Sequence, residues 1–297
     1  MQRYIKYFGF ISFIISCLFF LTSCKTTPAK KPTEVAHEQG EGKLITEDGF
    51  EFSYRYYPLQ KKGASVIYVP GLCGHPVKGA YMIAPLLNNA GFNFIVPTYS
   101  GHPRGSSFKD CVKAAQSRGK SGLITFPTIE GKESGAENIV HNEIKALIEV
   151  IKNAPSHDQE KGIYLIGSSI GAWYSLVTIY YYPESINGVV FVVPSILSDW
   201  PEWTQPQKYP DLNAKGYLES LIKAFGDRPG LAIGGNKDII WPGQSVETAW
   251  DSAVFIKEQI GENVEIMEVS TKAHRSFIQD FKIVREKIVQ WLKYQVQ

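Results

Sequence analysis

The sequence lacks any block of basic residues, and its charges nearly cancel. Among 297 residues, 31 Lys and Arg stand against 29 Asp and Glu, which leaves a formal net charge of +2. Proteins that bind nucleic acid usually concentrate positive charge on one face or in one segment. We therefore expect no nucleic-acid partner.

The sequence also lacks a hydrophobic run that is long enough and well enough flanked to indicate a transmembrane helix. Its longest apolar stretch, Phe8 to Leu21, follows a basic start at Arg3 and Lys6 and ends in Leu-Thr-Ser-Cys24. This order is typical of a secretory signal, and an uncleaved N-terminal anchor is the alternative.

Residues 21–24 resemble the bacterial lipobox, in which the cysteine is acylated and becomes the mature N-terminus. The resemblance implies that residues 1–23 are a signal peptide and that Cys24 carries the lipid anchor. Residues 24–42 are then a lipidated, flexible tether, because residues 25–42 are rich in Lys, Thr, Pro, Glu and Gly without apolar periodicity. We expect a lipoprotein of the cell envelope, secreted across the inner membrane and held to a membrane by its acyl chains.

Cysteine is scarce, with four residues and no Cys-x-x-Cys pair. Once Cys17 leaves with the signal and Cys24 is acylated, Cys73 and Cys111 remain, either as a disulfide or as two free thiols. His75 and His102 have no carboxylate at metal-ligand spacing, so we expect pocket-wall residues there rather than a metal site. No cofactor is expected.

Residues 43–297 are long enough for one large α/β domain. Alternating polar and apolar residues in 43–46 and 50–57 flank Glu-Asp-Gly and predict a β-hairpin. Six short runs, mostly of β-branched or aromatic residues, then predict parallel strands that are covered on both faces: Val66–Val69, Phe92–Val96, Ile163–Ile166, Val189–Val193, Leu231–Ile233 and Val264–Val269.

Helical patterns lie between these runs. One stripe spans Ala136 to Lys152, and a second, from Phe277 through Phe281 to Leu292, predicts a single C-terminal helix. The alternation predicts a mixed, mostly parallel sheet between layers of helices, with ligands bound beyond the carboxyl ends of the strands. Residues 101–135 and 195–230 interrupt the alternation and are predicted to be insertions that wall a pocket.

The pentapeptide Gly-Ser-Ser-Ile-Gly at residues 167–171 directly follows a predicted strand and opens a helical stretch. A Gly-x-Ser-x-Gly sequence in this context is typical of a nucleophile elbow, in which the central serine takes strained backbone angles and small flanking residues let strand and helix approach. Ser169 is therefore the candidate nucleophile, and Ser168 is expected to point into the core.

Four motifs in order make the chain similar to the α/β-hydrolases. Val69-Pro70-Gly71-Leu72 resembles the family's His-Gly oxyanion turn, with Pro70 where His is common. Residues 97–106 resemble the Asp-x-Arg-Gly-His-Gly-x-Ser loop of monoacylglycerol-lipase-like and serine-aminopeptidase-like members, with Thr98 and Ser100 replacing Asp and Arg. The elbow comes third, and Gly235 to Pro242 resembles the acid loop.

The resemblance implies a Ser, Asp, His triad in that chain order, with an oxyanion hole made by the backbone N–H groups of Leu72 and Ile170. His274 is the histidine that follows the last predicted strand, so we assign it as the base. The other five lie in the tether, in the helix from Ala136, in a polar surface turn or before the nucleophile: His37, His141, His157, His75 and His102.

Asp238 is the assigned carboxylate, with Asp199 as its rival after the preceding strand. The expected activity is hydrolysis of a small-molecule carboxylic ester through an acyl-enzyme. Two alternatives stay open, namely a peptidase or amidase of the same fold and a catalytically silent binding or envelope lipoprotein.

Overall fold

The structure, a computed structural model, describes residues 40–46, 51–71, 78–98, 136–196, 217–240, 248–274 and 276–297. These residues form an eight-stranded sheet with helices on both faces. The strands are β1 (Gly40–Ile45), β2 (Glu51–Tyr57), β3 (Ala64–Val69), β4 (Phe92–Thr98), β5 (Ile163–Ser168), β6 (Gly188–Val192), β7 (Gly230–Gly235) and β8 (Val264–Val269). The helices are α1 (Lys78–Asn89), α2 (Ala136–Lys152), α3 (Gly171–Tyr181), α4 (Tyr217–Phe225), α5 (Ala249–Ile260), α6 (Phe277–Asp280) and α7 (Lys282–Gln295), with a short 3-10 turn at Pro183–Ser185.

The strand order across the sheet is β1-β2-β4-β3-β5-β6-β7-β8. The pairs β1/β2 and β2/β4 are antiparallel, and every other pair is parallel. The predicted fold, a mostly parallel sheet with an antiparallel N-terminal pair, is confirmed. Because the parallel strands all run the same way, the residues that follow β3 and β5 to β8 meet at one edge of the sheet.

The central strands of the sheet are more deeply buried than its last strand. Every residue of β3, β5, β6 and β7 is buried, as expected for central strands covered on both faces. By contrast β8 is the last strand of the sheet, and its inner four residues are exposed or half-buried. The core is divided by the sheet, with α2, α3 and α4 packed on one face and α1, α6 and α7 on the other.

The second predicted insertion is partly a core element. Its last third forms α4, where Leu221 and Phe225 are fully buried and the Phe225 ring lies 6.0 Å from that of Phe191 in β6. The sequence pattern did not reveal this helix, which is only nine residues long. Residues 101–135 and 197–216 of the two insertions lie outside the described residues.

The apolar stripe predicted a single C-terminal helix, and this prediction is wrong. Two helices, α6 and α7, share the stripe. Phe281 separates α6 from α7 with an extended backbone (φ −107°, ψ 101°). The guanidinium of Arg285 donates to the carbonyl oxygens of Ile278 and Gln279, which the break leaves without helical partners. Phe277 and Val284 are both buried, so the stripe still faces the sheet.

His157 lies in a polar turn at the surface, as predicted, but its own side chain is buried. His157 is 5% exposed, and its Nδ1 lies 2.9 Å from Oγ of Ser65, which is fully buried at the start of β3. The backbone explains the burial, since the N–H of Gly63 donates to the carbonyl of Ser156 and holds the turn against β3. Asn93 Nδ2 lies 3.3 Å from Ser65 Oγ and 2.8 Å from the carbonyl oxygen of Ser156, and so also ties the turn to the start of β3.

Acid is expected to weaken the fold through His157. Burial lowers the pKa of His157 below its usual 6.5, with Asp158 opposing and Lys152 adding to the shift. Between the lowered pKa and 6.5 the unfolded chain binds the proton and the folded chain does not, so stability falls as pH drops through this interval. Above pH 6.5 the imidazole is neutral in both the folded and the unfolded chain, so His157 no longer makes the stability depend on pH.

Urea midpoints measured at about pH 8 and about pH 5 test this pH dependence, with His157→Gln as the matched neutral variant. The wild type should lose more stability on acidification than the variant. Equal losses in the two proteins would show that His157 does not contribute.

Candidate active site

Ser169 occupies a sharp turn between β5 and α3. Its φ is +57°, in the left-handed region that serine seldom adopts. A Cβ added at Gly167 would lie 2.5 Å from the carbonyl oxygen of Gly171, and one added at Gly171 would lie 2.2 Å from that of Val69. Only glycine fits at these two positions. The strand and the helix can therefore approach each other closely, and Ser169 lies in the turn beyond the carboxyl end of β5.

His274 follows β8 and reaches back to this turn. Its Nε2 lies 2.8 Å from Ser169 Oγ, and its Nδ1 lies 2.6 Å from Oδ2 of Asp238. An ionised carboxylate only accepts hydrogen bonds, so Nδ1 carries the proton and Nε2 presents a lone pair. The Ser169 hydroxyl therefore donates to Nε2, which is the arrangement that general-base catalysis requires.

Asp238 is held in a turn that follows β7. The residue is 4% exposed, and its backbone carbonyl accepts the N–H of Ala249 at the start of α5. The turn is fastened to the histidine loop by two backbone bonds, from Asn236 N–H to Val269 O and from Lys237 N–H to Thr271 O, each 3.1 Å. These bonds fix the distance between the loops that carry the acid and the base.

The backbone around the elbow offers donors for a developing oxyanion. Ile170 directly precedes α3, and the first N–H groups of a helix have no partner within it. A Cβ added at Gly71, just after β3, would lie 3.6 Å from Ser169 Oγ. Leu72, the second predicted donor, lies outside the described residues but directly follows this glycine.

Ser195 is a site residue that the sequence reasoning missed. It lies beyond the end of β6, is 8% exposed, and its Oγ is 3.2 Å from Ser169 Oγ. The available signal was its position after a predicted strand, at the edge where the candidate nucleophile also emerges.

Several predicted residues lie outside the described part of the chain, including the rival acid, the lipidation site and the remaining thiols: Asp199, Cys24, Cys73, Cys111, His75 and His102. Among the residues that the structure describes, no group of three or more His, Cys, Asp or Glu side chains could hold a metal ion. The described helices include none that is long and apolar enough to cross a membrane.

A second serine–histidine contact, Ser65 with His157, does not form a comparable site. Ser65 is fully buried at the amino end of β3, whereas Ser169 emerges beyond the carboxyl end of β5. These strands are parallel neighbours, so the two serine–histidine pairs lie at opposite ends of the strands. A serine with no exposed surface cannot meet a substrate, and we regard this pair as structural.

Comparison with known proteins gives a family and a fold. A family model of the alpha/beta hydrolase fold matches residues 64–237. No curated protein is significantly similar to the chain in sequence.

Three solved structures have related folds. A dienelactone hydrolase from Anabaena variabilis has a TM-score of 0.57 at 13% identity, over 88% of this chain and 100% of that one. An esterase from Pyrococcus furiosus has a TM-score of 0.56 at 17% identity, over 89% and 95% of the two chains. Est1E from Butyrivibrio proteoclasticus has a TM-score of 0.56 at 13% identity, over 86% and 99%. At these identities the likeness is one of fold.

Proposed function

Since the chain belongs to the alpha/beta hydrolase family, we propose that it is a serine hydrolase that cleaves a carboxylic ester through an acyl-enzyme on Ser169. The observation that carries the proposal is the continuous chain of hydrogen bonds from Ser169 through His274 to the buried Asp238. It supplies a nucleophile, a base and an orienting carboxylate in one line.

The first half of the proposed reaction forms the acyl-enzyme. Ser169 Oγ attacks the ester carbonyl carbon while its proton moves to Nε2 of His274. The Asp238 carboxylate stabilises the resulting imidazolium, and the N–H groups of Ile170 and Leu72 donate to the oxyanion. Collapse of the tetrahedral intermediate breaks the bond to the alcohol oxygen, which takes the proton from Nε2 as it leaves.

The second half frees the enzyme. The neutral imidazole of His274 removes a proton from a water molecule, which attacks the acyl carbon of the Ser169 ester. The second tetrahedral intermediate collapses with transfer of that proton to Ser169 Oγ, and the carboxylic acid departs. Each proton that His274 accepts is returned within the same half-reaction, so the triad ends as it began.

The reaction class is tested by labelling the protein with a fluorophosphonate and by assaying panels of activated esters and aminoacyl amides. We expect labelling and ester turnover, with slower cleavage of amides because an amine leaving group demands more complete protonation. Amide turnover that exceeds ester turnover would favour a peptidase or amidase. Absence of both labelling and turnover would favour a silent binding protein.

The proposal extends to the branch of the family. The loop at residues 97–106 resembles that of monoacylglycerol-lipase-like and serine-aminopeptidase-like members, and most of it lies outside the described residues. A preference for short glyceryl or other small acyl esters in the ester panel would support this branch.

We also propose that Cys24 is acylated and anchors the protein in the cell envelope. Support comes from the Leu-Thr-Ser-Cys sequence and the polar segment behind it. Expression in a bacterial host with labelled fatty acid should label the wild type, whereas Cys24→Ala should abolish the label and move the protein out of the detergent phase. A wild type that takes up no labelled fatty acid would contradict the anchor.

A further inference from the structure

Ser195 contacts the candidate nucleophile through both its backbone and its side chain. Its N–H donates to the carbonyl oxygen of Ser169 over 3.2 Å, and the two Oγ atoms are also 3.2 Å apart. On the other side, the N–H of Ser169 donates to the carbonyl of Val192 at the end of β6. The end of β6 and the turn after it therefore hold Ser169 in place through hydrogen bonds to both its N–H and its carbonyl oxygen.

The backbone is strained on both sides of this contact. Ser169 (φ 57°) and Val193 (φ 41°) are the two non-glycine residues in the described part of the chain that have positive φ. A positive φ is unfavourable for residues other than glycine, and most of all for a β-branched residue such as Val193. Strain at Val193 turns the chain after β6 so that Ser195, two residues later, faces the elbow.

The strained turn is anchored behind Ser195. Ile196 is bonded in both directions to Ser252, a fully buried residue of α5, through its N–H (3.4 Å) and its carbonyl (3.3 Å). Val193 N–H donates to the carbonyl of Ile233 in β7. The turn is thus hydrogen-bonded to a neighbouring helix and to a neighbouring strand. None of these bonds involves the Ser195 hydroxyl, so the backbone at Ser195 is held in place without it.

The direction of the hydroxyl bond follows from the triad. Ser169 uses its proton on His274 Nε2, because Nδ1 carries the proton that faces Asp238. Ser169 Oγ can then only accept from its second neighbour, so the hydroxyl of Ser195 is the donor. This leaves one lone pair of Ser169 Oγ free for attack.

We propose that Ser195 is a positioning residue for the nucleophile, an inference that rests on the function proposed for Ser169. By donating to Ser169 Oγ, it holds the rotamer in which the serine proton faces His274 and the free lone pair faces the substrate. The same bond strengthens when Oγ gains negative charge, as its proton leaves during attack and again as it departs from the acyl group. Ser195 forms no covalent bond and transfers no proton.

The test is Ser195→Ala, which removes the hydroxyl but keeps the backbone bond to Ser169. Fluorophosphonate inactivation measures the nucleophile directly, and its rate separates into kinact and KI. We expect kinact, and kcat/KM for an activated ester, to fall about tenfold, the size typical of one bond to a developing charge. KI should be unchanged, because Ser195 acts on the serine and not on the bound probe.

Two variants control for packing. Ser195→Thr keeps a hydroxyl and should retain kinact to within about threefold of the wild type. Ser185→Ala removes a hydroxyl beyond the far end of α3, where it accepts from Lys152, and should react at the wild-type rate. Thermal melts of all three variants report whether any loss follows unfolding.

An unchanged kinact in Ser195→Ala would overturn the inference alone. So would a loss in Ser195→Thr as large as that in Ser195→Ala with both melting lower, since packing and not the donor would then be responsible. A wild-type protein that neither reacts with the probe nor turns over esters would overturn the proposed function and this inference together.

Discussion

Replacing Ser169 with alanine is expected to lower kcat on short p-nitrophenyl esters by a factor on the order of 10⁴ to 10⁶ and to abolish fluorophosphonate labelling. The physical reason is that Ser169 Oγ, 2.8 Å from His274 Nε2, is the hydroxyl that forms the covalent bond to the acyl group and to the probe. Measurement requires active-site titration beside steady-state rates, because traces of wild type would mask so large a loss.

The two triad substitutions should not add. Without Ser169 the imidazole of His274 has no serine nucleophile to activate, and without His274 the serine has no base, so Ser169→Ala with His274→Ala should be little slower than either single variant. Ser168→Ala is the matched control, because that residue is the buried last residue of β5 and its substitution should leave labelling intact. Labelling that survives in Ser169→Ala would place the reactive serine elsewhere.

Replacing Asp238 with asparagine is expected to lower kcat by a factor on the order of 10⁴, the loss found for the same change in serine-protease triads. The shape is preserved, but an amide at this position can donate to Nδ1 and so favours the tautomer with its proton on Nε2. That proton would face Ser169 and remove the base. The 2.6 Å contact between Asp238 and His274 makes this the expected result.

Asp199→Asn is the comparison variant, and it should cost about tenfold or less because it lies outside the catalytic unit of this proposal. Both variants should be assayed on one activated ester, with thermal melts to show that they fold. Near-normal turnover in Asp238→Asn together with collapse in Asp199→Asn would move the acid to the residues after β6.

The sequence was most informative where one local pattern dictates one structure. The continuous apolar runs in the centre of the sheet became buried parallel strands, whereas β8, also predicted to be covered on both faces, is largely exposed; α2 begins and ends at the predicted residues 136 and 152. The elbow could be predicted because strand, turn and helix must pass so close that glycine is required at 167 and 171. The order of motifs along the chain then limited the candidates for base and acid.

Features that depend on distant contacts were not predictable in this way. His157 stands among polar residues in sequence, yet contact with the start of β3 buries it. The apolar stripe continues across Phe281, and periodicity does not encode the extended backbone that divides the two helices. Ser195 follows a proline in a short segment whose other residues are apolar, and its importance is revealed by the positive φ of Val193 and by its contact with Ser169.

The position of β8 at the margin of the sheet has a consequence for how this protein loses activity. The strand is paired on one side, through β7, and the loop after it carries His274. Edge elements open in local fluctuations at lower free energy than central strands, and amide hydrogen exchange reports such openings. A low concentration of denaturant should therefore abolish turnover while the amide hydrogens of the central strands remain protected from exchange. Catalytic competence thus depends on an edge strand of the sheet, and turnover is a more sensitive measure of partial opening there than any signal averaged over the whole chain.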